Sequence, residues 1–221
     1  MHIKNTPSTY TLIGANLLPL IGVLFFSWSL TEILLIFWAE TAIVGFFTFW
    51  KILLSKKIDD QEVQTIQKLK ESNPEKYNGL KPGKTTKFFL SVFFPVHFGG
   101  FMMGHAFFLI ALFGDVGTPL QHIDMKGILF SLSTLFISHL FSFFMNYIGK
   151  KEYLLYSPQQ LILQPYKRIV IMHMAVLFGG IFAEALGTPI YALIILILGK
   201  IVVDLFSHAH EHKEVNQLSI T

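Results

Sequence analysis

Six stretches of the chain are dominated by apolar residues: 9–28, 31–52, 88–113, 127–149, 168–186 and 189–208. Apolar runs of about 20 residues are long enough to cross a bilayer as helices. Lipid offers the backbone no hydrogen-bond partners, so helix is the reading for runs this long. Barrel strands would need a polar residue at every second position, and these runs do not alternate. The pattern predicts an all-α polytopic membrane helix bundle of six transmembrane helices, one membrane domain over 1–221.

The connections divide the runs. A tight turn near Ser29 joins the first two, and Gly187-Thr188-Pro189 breaks the chain between the last two. The long polar stretch 55–87 contains Asn73-Pro74, Asn78-Gly79 and Pro82-Gly83, which read as turns, around a predicted surface helix at 59–71. A second connection, 150–167, carries Tyr153-Leu154-Leu155-Tyr156 and Leu161-Ile162-Leu163. It is too short to span and too apolar for open water, so it is expected in the headgroup region. Residues 209–221 read as a polar tail.

Charge orients this arrangement. Nine of the 17 Lys and Arg residues lie between Lys51 and Lys87, and Lys150, Lys151, Lys167 and Arg168 flank the second connection. With six spans, these loops and both termini share one side, which the positive-inside rule makes cytoplasmic. Five or seven spans would scatter the same charges. The expected location is the cell membrane, multi-pass, with both termini in the cytoplasm. The first run holds Asn16 and Pro19 and lacks a small-residue cleavage site, so it reads as a span and not as a cleaved leader. Composition agrees: 52% of residues are hydrophobic and 14% charged, with 23 Phe. Such a stock does not build a water-soluble surface, and it excludes intrinsic disorder. The net charge of +3 is explained by orientation and calls for no nucleic acid. The absence of Cys excludes disulfides, thiolate metal sites, Cys nucleophiles and iron–sulfur clusters.

Against this apolar background stand Glu40, His97, His105, His139, His173, Glu184, Lys200 and Asp204, with His208 at the end of the sixth run and the amides Asn16 and Asn146. Ionisable groups in a bilayer are costly and usually face a bundle interior or a wet cavity. Counting from the cytoplasmic ends at ~1.5 Å per residue puts His97, His139, Lys200 and Asn16 about 12–14 Å deep and Glu40 about 18 Å deep. The same count puts His173 and Asp204 at about 6–8 Å and His105 and Glu184 at about 24–25 Å. Lys200, Asp204 and His208 fall on one helix stripe. His97 and His105, eight residues apart, share a sector of the third run, whose Gly100 and Gly104 suit close helix contact.

The residues also carry a resemblance. Asn16-Leu17-Leu18-Pro19-Leu20, Phe37-Trp38-Ala39-Glu40, and Phe94-Pro95-Val96-His97-Phe98-Gly99-Gly100-Phe101 through His105 are the first part of it. Ser138-His139 with Asn146-Tyr147, Pro165-Tyr166-Lys167-Arg168-Ile169-Val170 through His173, and Gly199-Lys200 through Asp204 and His208 complete it. In these positions the chain resembles an uncharacterised family of bacterial and archaeal integral membrane proteins, a domain of unknown function. The resemblance covers nearly everything outside 55–87. It implies the architecture and no activity, and it implies that the intramembrane polar residues belong to a shared design.

Three functions fit such residues. The first is a metal centre acting on a lipid-soluble substrate: Glu40, His97 and His139 in one site, His173, Asp204 and His208 in another. Imidazole with carboxylate suits Zn, Fe, Cu or Mn, and an open position would activate water or a substrate. The second is a proton- or ion-coupled transporter or channel, in which Glu40, His97, His139, His173, Lys200 and Asp204 form a relay continued by His105 and Glu184; a homo-oligomer would then complete the pathway. The third is haem held between His97 and His139. The bland counterpart is an interhelical hydrogen bond for each His, a neutralising pair for Lys200 and Asp204, and a solvated tail for His210 and His212.

Overall fold

A computed structural model describes residues 28–113 and 124–185, together with Ile21, Gly22 and Phe25. The described elements are all helical: α1 (Leu30–Leu54), α2 (Asp60–Ser72), α3 (Pro74–Tyr77), α4 (Lys84–Phe113), α5 (Met125–Ser142) and α6 (Pro158–Ala185). A wider π turn, Phe143–Ile148, continues α5, and a single 3-10 turn, Glu152–Leu154, precedes α6. Three of these segments, Thr31–Leu54, Lys84–Ile110 and Met125–Ile148, are long and apolar enough to cross a membrane. They coincide with the second, third and fourth apolar runs. The sixth run, and all of the first except Ile21, Gly22, Phe25 and Trp28, lie outside the described residues.

Local chemistry sets the helix starts. Ser29 and Glu32 form a capping box: the Ser29 N–H donates to Glu32 Oε2 at 2.6 Å, and the Glu32 N–H donates to Ser29 Oγ at 3.3 Å. Asp59 caps α2, its carboxylate accepting from the N–H groups of Gln61 and Glu62. The expected surface helix is therefore present, displaced by one residue. Asn73-Pro74 is more than a turn: Asn73 accepts from the Lys76 N–H and starts the four-residue α3, with Pro74 at its first position. At Gly83 the backbone takes φ +78, which a side chain would resist.

The beginning of α6 differs most from expectation. Ser157 and Gln160 make a second capping box, Ser157 N–H to Gln160 Oε1 at 3.0 Å and Gln160 N–H to Ser157 Oγ at 3.4 Å. Pro158, which needs no N–H partner at a first helical position, follows the cap. Leu161-Ile162-Leu163 is thus the opening of a 28-residue helix that contains the fifth run, not a separate connecting piece. The helix begins ten residues before the expected span.

The chain gathers into two compact units. Of the described residues, one holds those up to Glu40, those of 104–138 and those from Ile169 on; the other holds Thr41–Met103 and His139–Arg168. In the second unit, helix directions can be read from contacts. Gly45 of α1 meets Phe98 of α4, and near the other end of this pair Lys87 Nζ donates to the Ser55 carbonyl at 2.9 Å. Contacts that advance along one helix while retreating along the other make α1 and α4 antiparallel. Phe47 meets His139 and Phe143, and Lys51 meets Tyr147, so α1 and the α5–π segment run parallel. Residues leading into α6 meet Ser55 as α4 does, and Tyr166 then meets Phe94 and Phe98, so α6 is parallel to α4. Within this unit the directions alternate along the chain.

The cores of both units are apolar. Ile33, Leu34, Ile36 and Leu109 are buried in the first; Ile52, Phe94, Phe98, Tyr147 and Leu161 are buried in the second.

Candidate functional site

Polar side chains meet at three places. The first is in the first unit, where His105 of α4 and His173 of α6 approach to 3.2 Å between Nε2 and Nδ1, their rings nearly perpendicular. His105 is only 5% exposed. As a hydrogen bond, this contact requires one ring to donate and the other to accept. The geometry corrects the depth assigned to His173. A start at Arg168 sets it about 8 Å deep, a layer away from His105, whereas a start at Pro158 sets it ~22 Å deep at 1.5 Å per residue. His173 therefore belongs with His105.

The second place is in the second unit. His97 Nδ1 lies 2.6 Å from the Tyr166 hydroxyl. Three phenylalanines and His97 form a ladder at four-residue spacing on α4. Phe89 stacks on Phe93 at 5.5 Å, Phe93 stacks on His97 at 4.8 Å, and Phe101 meets His97 edge-on at 5.1 Å. Four-residue spacing puts these rings on one helix face. Unlike His105, His97 is exposed, as are Phe89, Phe93 and Phe101.

The third place, also in the second unit, is a polar clasp around the ends of the helices. Ser55 Oγ donates to the Tyr156 carbonyl at 2.6 Å, and the Lys56 N–H donates to the Tyr153 carbonyl at 2.8 Å. The Glu62 carboxylate accepts from the Gly83 N–H at 2.8 Å, the Thr86 hydroxyl at 2.7 Å and the Gln159 amide at 2.9 Å. The hydroxyl of Tyr147, on the π turn, donates to the Lys51 carbonyl at 2.7 Å. A carboxylate with three donors anchors α2 to the starts of α4 and α6. None of Ser55, Glu62, Lys87 or Gln159 stands out by residue type in the sequence, because each lies in a polar loop or beside one.

The remaining candidates are distributed as follows. Glu40 is a buried carboxylate of the first unit. His139 stacks on Phe47 with ring centroids 6.4 Å apart. Asn146 donates to Ser142 Oγ at 3.2 Å, within its own helical segment. Glu184 falls in the last turn of α6, and its side chain lies outside the described residues, as do Asn16, Lys200, Asp204 and His208. Among the described residues, no group of three or more His, Asp or Glu side chains is placed to hold a metal ion. Glu32 emerges as a buried carboxylate the hydropathy pattern passes over: besides its capping box, it accepts from the Asp124 N–H at 2.8 Å, joining the starts of α1 and α5.

A family model described as a family of unknown function (DUF6498) matches residues 3–220, nearly the whole chain. The chain belongs to that family. No curated protein and no solved structure gives a significant match.

Proposed function

We propose that this member of the DUF6498 family is a six-span protein of the cell membrane, both termini cytoplasmic, built around a transition-metal centre whose kernel is His105 and His173. The observation that carries the metal reading is the 3.2 Å separation of two imidazole nitrogens on different helices. Two nitrogen ligands about 2.0–2.1 Å from a tetrahedral ion stand roughly 3.3 Å apart, close to the spacing of this pair. Zn, Fe, Cu and Mn all accept imidazole with oxygen donors. The remaining positions serve water, further oxygen or nitrogen donors, or a lipid-soluble substrate. Metal analysis of purified wild-type protein beside His105→Ala and His173→Ala tests this. Equal metal in all three samples would remove the pair from the site.

A second reading draws on the same contact as a hydrogen bond. An imidazole pair that exchanges donor and acceptor roles passes a proton, which suits a proton- or ion-coupled transporter. Proton flux through liposomes containing metal-free protein, abolished in His105→Ala, would favour it over the metal centre.

The topology is supported by the alternating helix directions and by the basic residues at the Ser55 end of the helices, Lys51, Lys56, Lys87 and Lys150 among them. The chain has no native Cys, so single cysteines report without background. A cysteine at Lys150, exposed at the Ser55 end of the helices, is expected to resist an impermeant reagent applied to intact cells, and one at Lys126 to react. The reverse pattern would invert the topology.

A further inference from the structure

We propose that the His97 ladder on α4 binds a planar, lipid-soluble molecule whose ring bears carbonyl oxygens, a quinone-class ring. The inference is independent of the metal reading and rests on residues of the second unit alone. Phe89, Phe93, His97 and Phe101 form a continuous exposed run of rings at helical spacing. Such a run offers flat and edge-on aromatic contacts, the geometry in which ring pairs attract beyond their buried area. One member is polar, and its bonding is half used. Nδ1 is engaged by the Tyr166 hydroxyl at 2.6 Å, and among the described residues the ring makes no other hydrogen bond.

The proposal assigns Tyr166 as the donor of this bond, which gives its hydroxyl proton an acceptor. When the phenol donates to Nδ1, the imidazole proton sits on Nε2, leaving an N–H donor in an apolar surface. An exposed donor on a segment that crosses a membrane has no water to satisfy it, and an unmet polar group in lipid is costly. A ring carbonyl satisfies that donor, while the flanking phenylalanines hold the ring. A purely aliphatic lipid would leave the donor unmet, and a charged ligand would lose its hydration among phenylalanines. The chemistry therefore selects a neutral aromatic or quinoid ring with an acceptor oxygen.

The test uses full-length protein in lipid nanodiscs, with a decyl-substituted benzoquinone as probe and decylbenzene, which lacks the carbonyls, as control. Saturable quinone binding is expected, weakened about three- to tenfold in His97→Phe, which keeps a ring in the ladder but removes the donor; one hydrogen bond is worth about that factor. Decylbenzene binding is expected to be unchanged, and so is the metal content of the variant. Equal quinone affinity in wild type and His97→Phe, or no saturable binding by wild type, would overturn the proposal. Should His97→Phe fail to fold, the wild-type protein still decides. Quinone is expected to protect His97 from diethyl pyrocarbonate, read by mass spectrometry, and unchanged modification of His97 at saturating quinone would overturn the idea.

Discussion

The same two helices, α4 and α6, carry two histidine-centred pairs, one in each compact unit, and the pairs differ in everything except the helices that bear them. His105 and His173 oppose one imidazole to another, with His105 buried. His97 opposes an imidazole to a phenol on an exposed aromatic face. Two opposed imidazoles, one of them buried, give two ring nitrogens a short distance apart, which a metal ion or a shared proton can use. An imidazole whose Nδ1 accepts from a phenol carries its proton on Nε2, a donor that a neutral ligand can use. Residue type alone does not decide what an intramembrane His does; its partner and its burial do.

That contrast orders the experiments. The largest effect is expected from His105→Ala or His173→Ala, which should reduce bound metal at least tenfold, while His97→Ala and His139→Ala should retain it. Element analysis of the four purified variants checks this, and metal loss in the His97 variant would erase the distinction between the pairs. The next effect is structural. Glu62→Ala leaves Gly83, Thr86 and Gln159 without their shared acceptor and should cost about 3 kcal/mol, since hydrogen bonds to a charged group are the strong ones. The shift in thermal unfolding in detergent measures it. Gly45→Ala should cost about 2 kcal/mol by the same measurement, because a Cβ there runs into the Phe98 ring. Ser157→Ala removes the cap that starts α6 and should cost about 1 kcal/mol. If Ser157→Ala instead leaves stability unchanged but weakens quinone binding, the cap acts mainly by setting the register of Tyr166.

Hydropathy carried the helical class and the positions of α1, α4 and α5, because apolar runs bounded by Lys or Gly leave little room for another reading. It misplaced the beginning of α6, and the reason is physical. Residues 158–167 mix Gln, Pro, Tyr and Lys with leucines, so they fall below the hydropathy of a span while remaining good helix. The missing signal was local: Ser157-Pro158-Gln159-Gln160 has a cap, a proline at the first helical position and an amide at the third. Reading it would have moved His173 into the layer of His105. The Glu62 clasp was illegible for a different reason. Its partners come from segments 21 to 97 residues away, and nothing in a polar loop marks one glutamate among several. The partnership of His97 with Tyr166 was equally beyond periodicity, which describes one helix at a time and says nothing of which neighbour meets it.

The central claim is that His105 and His173 form the kernel of a metal centre, and its most direct test is element analysis of the untagged, detergent-purified wild-type protein, with a visible spectrum of the same sample. Near-stoichiometric Zn, Fe, Cu or Mn, lost in His105→Ala, is the predicted result. Wild-type protein that stays free of metal after each of the four is supplied would contradict it and leave the shared proton as the account of the pair.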